Sequence, residues 1–303
     1  MPSPDLTRIL LFGNQGQVGW ELERTLAPLG PVISVGRNEC DLLDTSTVRE
    51  TIRATNASVI INAAAYTAVD QAEEDEQNAR TINAYAPTAM AEEAMQQSAL
   101  FIHYSTDYVF NGIGNRPWNE RDRPEPVNVY GRTKLEGEQG IQSVGGNYII
   151  LRTSWVYSLR RPSFVSKVLT WAQASDRLEI ANDQFGTPTW SRLIAEGTAL
   201  LLARLQGQAK HPSDAMAGRL FHLAAAGVAS RQDWAEAILS LTNESPEETN
   251  RTASIVGVSS RQFATAAKRP MFSALDSGEL ARQVGISLPD WKDGLRMAMA
   301  PGE

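Results

Sequence analysis

An α/β fold with a doubly wound parallel sheet and a smaller C-terminal α/β lobe is what this sequence predicts, on three observations. Short apolar runs alternate with helical patterns through the first half of the 303-residue chain, which is the rhythm of parallel strands joined by crossover helices. A glycine turn, Gly13-x-x-Gly16-x-x-Gly19, sits between the first apolar run and the first helix. Beyond Ser158 the pattern loosens into helical segments separated by short strands.

Each element follows from its own residues. Ile9-Leu10-Leu11-Phe12 is the first strand, and Val18, Leu22, Leu26 and Leu29 then recur near helical spacing. Val32-Ile33-Ser34-Val35 is the second strand, followed by a polar helix capped by Asp44 or Thr45. Ser58–Asn62 is the third strand, a long alanine-rich helix spans Thr81 to Gln97, and Leu100–Tyr104 is the fourth strand. Residues 111–126, rich in Gly, Pro, Asn and Arg, read as a mobile loop before the helix that carries Tyr130. Tyr148–Arg152 is the fifth strand. Later helical segments near 163–174, 191–206, 230–242 and 290–299 flank short strands near 177–181 and 219–223. The expected division is a dinucleotide-binding domain over residues 1–158, with part of 183–225 returning to it, and residues 159–303 mainly a substrate-binding lobe.

Composition removes several classes of function. A hydrophobic content of 42% with 21% charged residues suits a soluble globular chain. The net charge of −7 argues against a general binder of nucleic acid or anionic membrane, while leaving room for a locally basic pocket. No apolar run reaches membrane-spanning length, and Met1–Arg8 lacks the apolar core of a signal peptide. Cys40, the single cysteine, excludes an internal disulfide and fits a reducing, cytoplasmic setting. His103, His211 and His222 are scattered without the spacing of a metal cage, so no metal ligand is assigned. His103 and His222 read as structural, and Glu73-Glu74-Asp75-Glu76 as a solvated helix start.

The glycine turn gives the fold a Rossmann-like reading. Glycines there permit a tight turn and close approach of a pyrophosphate, which the following helix N-terminus stabilises. The ribose-binding acid usual after the second strand is missing; the chain reads Gly36-Arg37-Asn38 instead. Arg37 would pair with a 2′-phosphate and favour NADPH over NADH, or it is an ordinary surface arginine. Asp41-Leu42 suits the adenine side, although Asp41 also reads as a capping acid.

Ser105-Thr106-Asp107 ends the fourth strand, where ligands bind in open α/β sheets. A hydroxyl there polarises a carbonyl as hydride arrives, with Thr106 the first choice and Ser105 the second. Tyr130 and Lys134 stand four residues apart, on one helix face. Next to a bound dinucleotide, the lysine ammonium would lower the phenol pKa and make it usable for proton transfer near neutral pH.

Over residues 7 to 297 the chain resembles the dTDP-4-dehydrorhamnose reductase family of the extended short-chain dehydrogenase/reductase superfamily. The likeness rests on Leu11–Gly19, Val59–Asp70, His103–Phe110, Tyr130–Glu138, Arg152–Tyr157 and Asp183–Thr189, with Arg269-Pro270 and Leu275-Asp276 fitting the C-terminal pattern. The Arg152–Tyr157 and Asp183–Thr189 segments narrow it to this subgroup. The resemblance implies NAD(P)H-dependent reduction of the 4-keto group of dTDP-4-dehydro-L-rhamnose. It implies Tyr130 as the proton donor, Lys134 on the nicotinamide ribose, and Thr106 on the reacting oxygen. Gly13, Gly16, Gln17, Val18, Gly19, Arg37, Asp41, Leu42, Ala64, Ala65, Tyr66 and Thr67 would line the cofactor. Asp107, Tyr108 and Trp155 would join Thr106 around the sugar, unless Trp155 is simply core. Mg²⁺ in some relatives leaves a metal possible here without assigned ligands, and the chain is expected as a monomer or homodimer. Two other readings stay open. One is an epimerase or dehydratase on the same fold, disfavoured by Arg37 and by Tyr108 where dehydratases carry a carboxylate. The other is a regulatory subunit resembling the beta subunit of methionine adenosyltransferase.

Overall fold

The computed structural model describes residues 7–208, 218–243 and 253–300. Five strands of the main sheet are β1 (Ile9–Phe12), β2 (Val32–Val35), β3 (Val59–Asn62), β4 (Leu100–Thr106) and β5 (Tyr148–Thr153). A sixth, Arg219–His222, pairs in parallel with β5. Across the sheet the order is Arg219–His222, β5, β4, β3, β1, β2, all parallel. From β1 the chain steps outward to β2 and then returns to place β3 on the other side of β1. That reversal leaves a crevice at the carboxyl ends of β1 and β3.

Both faces of the sheet are largely apolar because successive residues in the amino-terminal parts of the central strands are apolar, with polar residues gathering toward the carboxyl ends. Ile9 and Leu11 point to one side, where Leu22 and Leu26 meet Ile194, Leu201, Leu202 and Leu205 of the helix Ser191–Gln208. Leu10 and Phe12 point to the other, onto Val48, Ile52, Met90 and Ile141. A separate core gathers Val165, Val168, Leu178, Ile180, Trp234, Ile238, Trp291 and Leu295, with the parallel strand pair Arg177–Ala181 and Ser254–Val258 on it. Among the described residues no helix is long and apolar enough to cross a membrane.

Two expectations need correction. The long helix begins before Thr81: helical backbone runs from Glu76, widens into a π-helical turn over Thr81–Tyr85 and continues to Gln96. The segment 111–126 is tied down at its centre. The Trp118 N–H donates to the Ala274 carbonyl at 2.8 Å, and its indole N–H donates to the Phe272 carbonyl at 2.8 Å. The Trp118 ring also stacks on Phe110 with 4.8 Å between centroids. Loop composition does not reveal an anchor of this kind, because the partners lie some 150 residues downstream in the chain. At the second helix, Asp44 rather than Thr45 is the cap, accepting the N–H groups of Ser46 and Thr47.

Candidate active site

A cleft of about 830 Å³ runs along the carboxyl ends of β1, β3 and β4, a size typical of ligand pockets. The glycine turn forms its floor. Gly13 holds φ +88°, and a Cβ there would lie 2.7 Å from the Ala64 amide nitrogen. Only glycine lets β1 pass so close to the loop after β3. Gly16, Gln17, Val18, Arg37, Asp41, Leu42, Ala64, Ala65, Tyr66 and Thr67 line the cleft, and Ser105, Tyr130 and Lys134 stand at its far end. Gly19 is not on the lining. Its missing Cβ would fall 2.0 Å from the Gly13 carbonyl oxygen, so it lets the helix Gln17–Thr25 sit directly on the turn.

Asn83, from the π-helical turn, fixes the loop Ala65–Thr67. It accepts the Tyr66 N–H at 2.8 Å and donates to the Tyr66 carbonyl at 3.2 Å and to the Thr133 hydroxyl at 3.1 Å. Thr133 belongs to the helix Val129–Val144, which also carries Tyr130 and Lys134. Asn128 caps that helix by accepting the Gly131 N–H at 2.8 Å. The loop Ala65–Thr67 and the helix that carries Tyr130 and Lys134 are therefore locked together through one buried amide.

Lys134 is fully buried, donates to the Tyr104 carbonyl at 2.6 Å and lies 3.0 Å from His103 Nε2. Burial pulls its pKa down to about 7, against an upward pull from Glu138. Burial also pushes the Tyr130 phenol up, reinforced by Asp107 and Tyr108 and opposed by a hydrogen bond with Thr106. Burial and the carboxylate of Asp107 therefore set the phenol in the free protein, whereas the lowering by Lys134 is expected beside a bound dinucleotide. The amine faces β4, and its charged form is itself disfavoured by burial.

Thr106, Asp107, Tyr108 and Trp155 do not line this cleft; they gather beside Tyr130. The Thr106 hydroxyl donates to Asp107 Oδ1 at 3.1 Å and accepts the Tyr108 N–H at 3.2 Å. Ser154 donates to Asp107 Oδ2 at 2.9 Å. Burial pushes Asp107 up to about 6, against hydrogen bonds from Ser273, Ser154 and Thr106. Tyr108 meets the Tyr130 ring edge-on at 5.7 Å. Two arginines converge on the Tyr108 phenol, Arg231 and Arg269. Asp70 grips Arg269 through both carboxylate oxygens, at 3.1 and 2.6 Å. The Arg231 guanidinium lies 3.6 Å from the centre of the Trp155 ring. Trp155 itself takes φ +43° and stacks on Trp234, a left-handed conformation uncommon for a bulky side chain. It is half-buried, between the C-terminal core and this cluster.

The lining suits a long polar ligand such as a dinucleotide. Gln17 Oε1, Ser105 Oγ and Thr153 Oγ1 are buried along the cleft with no hydrogen-bond partner among the described residues, and buried polar atoms ordinarily have one. The tight glycine floor adds the close backbone approach that a pyrophosphate needs.

The family model described as the RmlD substrate binding domain matches residues 7–302. The dTDP-4-dehydrorhamnose reductase of Escherichia coli strain K12 is 40% identical over 294 residues, covering 95% of each chain. That of Burkholderia thailandensis is 39% identical over 286 residues, covering 94% of this chain and 95% of its own. This chain belongs to the dTDP-4-dehydrorhamnose reductase family. Among solved structures, the reductase from Clostridium acetobutylicum superposes with a TM-score of 0.85 at 30% identity, covering 96% of this chain and 98% of its own. The Bacillus anthracis reductase in complex with NADP gives the same TM-score at 27% identity, with the same coverage.

Asn83 and Arg231 are the residues of this candidate site that sequence reasoning passed over. Asp70 and Arg269 were visible only as members of matching segments. Asn83 and Arg231 carry no local signal, since an amide in a helix and an arginine at a helix start are common everywhere. Among the described residues, no group of three or more His, Cys, Asp or Glu side chains gathers into a metal cage. His211 lies outside the described residues.

Proposed function

We propose that this chain reduces the 4-keto group of dTDP-4-dehydro-L-rhamnose to give dTDP-L-rhamnose, with NADPH preferred over NADH. The observation that carries the reading is the Tyr130 phenol, hydrogen-bonded to Thr106 at the end of a cleft floored by the glycine turn. A bound nicotinamide supplies the hydride. Tyr130, held in its protonated form by burial, gives its phenolic proton to the keto oxygen. The Thr106 hydroxyl, which donates to Asp107 Oδ1 in the free protein, turns its proton to the same oxygen when substrate binds. Gly13, Gly16 and the start of the helix Gln17–Thr25 take the cofactor pyrophosphate. Lys134 takes the nicotinamide ribose, and Trp155 forms a wall for the sugar. Arg231 and Arg269 face the only anionic part of the substrate, its diphosphate. Pairing of Arg219–His222 with β5 supports assigning part of 183–225, with residues 1–158, to the cofactor domain. Cys40, buried and free, supports placing the reaction in the cytoplasm.

The test is NADPH and NADH oxidation with dTDP-4-dehydro-L-rhamnose beside its UDP- and GDP-linked analogues. The dTDP compound with NADPH should be turned over fastest. Failure to oxidise either cofactor with any of the three would remove the reading.

A further inference from the structure

Behind Lys134 lies a chain of hydrogen bonds through His103, which reads as structural in the sequence, to Asn62 at the end of β3. Parallel pairing sets Asn62 of β3 opposite His103 of β4. His103 Nδ1 lies 3.1 Å from Asn62 Nδ2, and Asn62 Oδ1 accepts the Ala64 N–H at 3.0 Å. At the other side His103 Nε2 lies 3.0 Å from Lys134 Nζ, which donates to the Tyr104 carbonyl. Asn62 and His103 are wholly buried, so water does not complete these bonds.

The ends of this chain fix the sense of every bond in it. A backbone N–H only donates, so Asn62 turns its oxygen to Ala64 and its NH₂ to His103. Nδ1 must then offer a lone pair, and a neutral imidazole carries its proton on Nε2. That proton points at Lys134. An ammonium has no lone pair to receive it, whereas a neutral amine accepts from Nε2–H and still donates to Tyr104. With Lys134 charged, either two donors would face each other at Nε2, or the His103 proton would move to Nδ1 and face the Asn62 NH₂.

We propose that His103, oriented by Asn62, is a positioning residue that holds Lys134 as a neutral amine in the free protein, its Nζ lone pair accepting from Nε2–H. That protonation pattern belongs to the free protein and does not depend on the ketone-reduction reading.

The other groups facing Lys134 agree. On its own helix these are Tyr130 one turn before and Glu138 one turn after. Glu138 is committed to Arg152 of β5, at 2.8 and 2.6 Å. From β4 come His103 and the Tyr104 carbonyl, while Asp107 at the tip of that strand acts on Tyr130. The direction in which burial moves Lys134, to about 7, is the one this arrangement demands.

Nitrogen NMR of the ¹⁵N-histidine-labelled free protein reads the tautomer directly, with His103→Gln identifying the His103 signals among the three histidines. The expected spectrum at pH 8 has a lone-pair shift at Nδ1 and an N–H shift at Nε2. A proton on Nδ1, or on both nitrogens, overturns the proposal. Asn62→Asp keeps the acceptor for Ala64 but puts a carboxylate opposite Nδ1, drawing the proton there and making Nε2 an acceptor for an ammonium. In that variant the His103 pattern should invert, with the N–H shift at Nδ1 and the lone-pair shift at Nε2. An unchanged pattern also overturns the proposal. Neither spectrum needs turnover, so failure of the function reading is distinguishable from failure of the protonation pattern.

Discussion

The cleft and the cluster beside it are built from different materials. The floor of the cleft is backbone and small side chains, from two short stretches after β1 and β3. The cluster is polar and charged side chains, buried at Asp107 and half-buried at Tyr108, Arg231 and Arg269, with Ser154 and Ser273 as hydrogen-bond donors to Asp107. The first depends on backbone conformation, so it tolerates few changes at its glycines and many elsewhere. The second depends on mutual electrostatics among groups far apart in the chain, so changes there shift affinity and pH dependence before they disturb the fold.

Tyr130 stands where the two meet, and removing its hydroxyl should separate chemistry from binding. Tyr130→Phe is expected to lower turnover by about two to four orders of magnitude, the usual worth of a positioned general acid. The NADPH dissociation constant, read by fluorescence titration, should stay within about twofold, because the phenyl ring retains its contact with Tyr108. Near-normal turnover would take Tyr130 out of the mechanism.

In the cluster, Arg231→Gln should raise KM for the dTDP-sugar by roughly ten- to a hundredfold, the range of a charge-assisted hydrogen bond lost to an anion. NADPH affinity should hold steady. Isothermal titration with dTDP and with thymidine sharpens the point, since only the phosphorylated ligand should weaken. Equal loss for both would make Arg231 a packing residue over Trp155.

The same contrast explains what was legible in the sequence. The strands were readable because each is apolar at successive positions, and the floor of the cleft was readable because a glycine turn is a local signal. Tyr130 and Lys134 were visible through helical spacing, yet the burial that sets their electrostatics in the free protein was not. Spacing shows which side chains are neighbours along a helix, but burial and the strand behind it decide their protonation. His103 read as structural for the same reason: its partners, Asn62 and Lys134, come from β3 and from the helix Val129–Val144. The Arg231–Tyr108–Arg269 cluster and the Asn83 clamp were illegible, since each joins segments that only tertiary packing brings together. The anchoring of Trp118 was hidden likewise.

Gly13→Ala tests the floor of the cleft. A left-handed alanine costs about 1–2 kcal/mol, and its Cβ would also press on the Ala64 amide at 2.7 Å. NADPH affinity is expected to fall roughly five- to thirtyfold on the conformational cost alone. Melting temperature should fall with it, by about 2–4 °C per kcal/mol for a chain of this size. Loss of affinity at unchanged stability would mean that the turn serves the ligand and not the contact between β1 and the loop after β3.

Arg37 should give the smallest effect, and it separates cofactor choice from cofactor binding. Its side chain is 72% exposed and sits 3.6 Å from Asp41, so water and a neighbouring carboxylate both weaken its hold on a phosphate. Exposed charge pairs are worth up to about 1 kcal/mol, so Arg37→Ala should weaken NADPH by no more than roughly fivefold and leave NADH unchanged. Asp41→Asn should act in the opposite sense, strengthening NADPH by freeing Arg37 and removing a like charge from the 2′-phosphate. Raising the salt concentration should shrink both effects together, because the pair is open to solvent. Should Arg37→Ala weaken NADH as much as NADPH, the arginine would be reading the adenosine or the pyrophosphate, and the missing acid after β2 would no longer argue for NADPH.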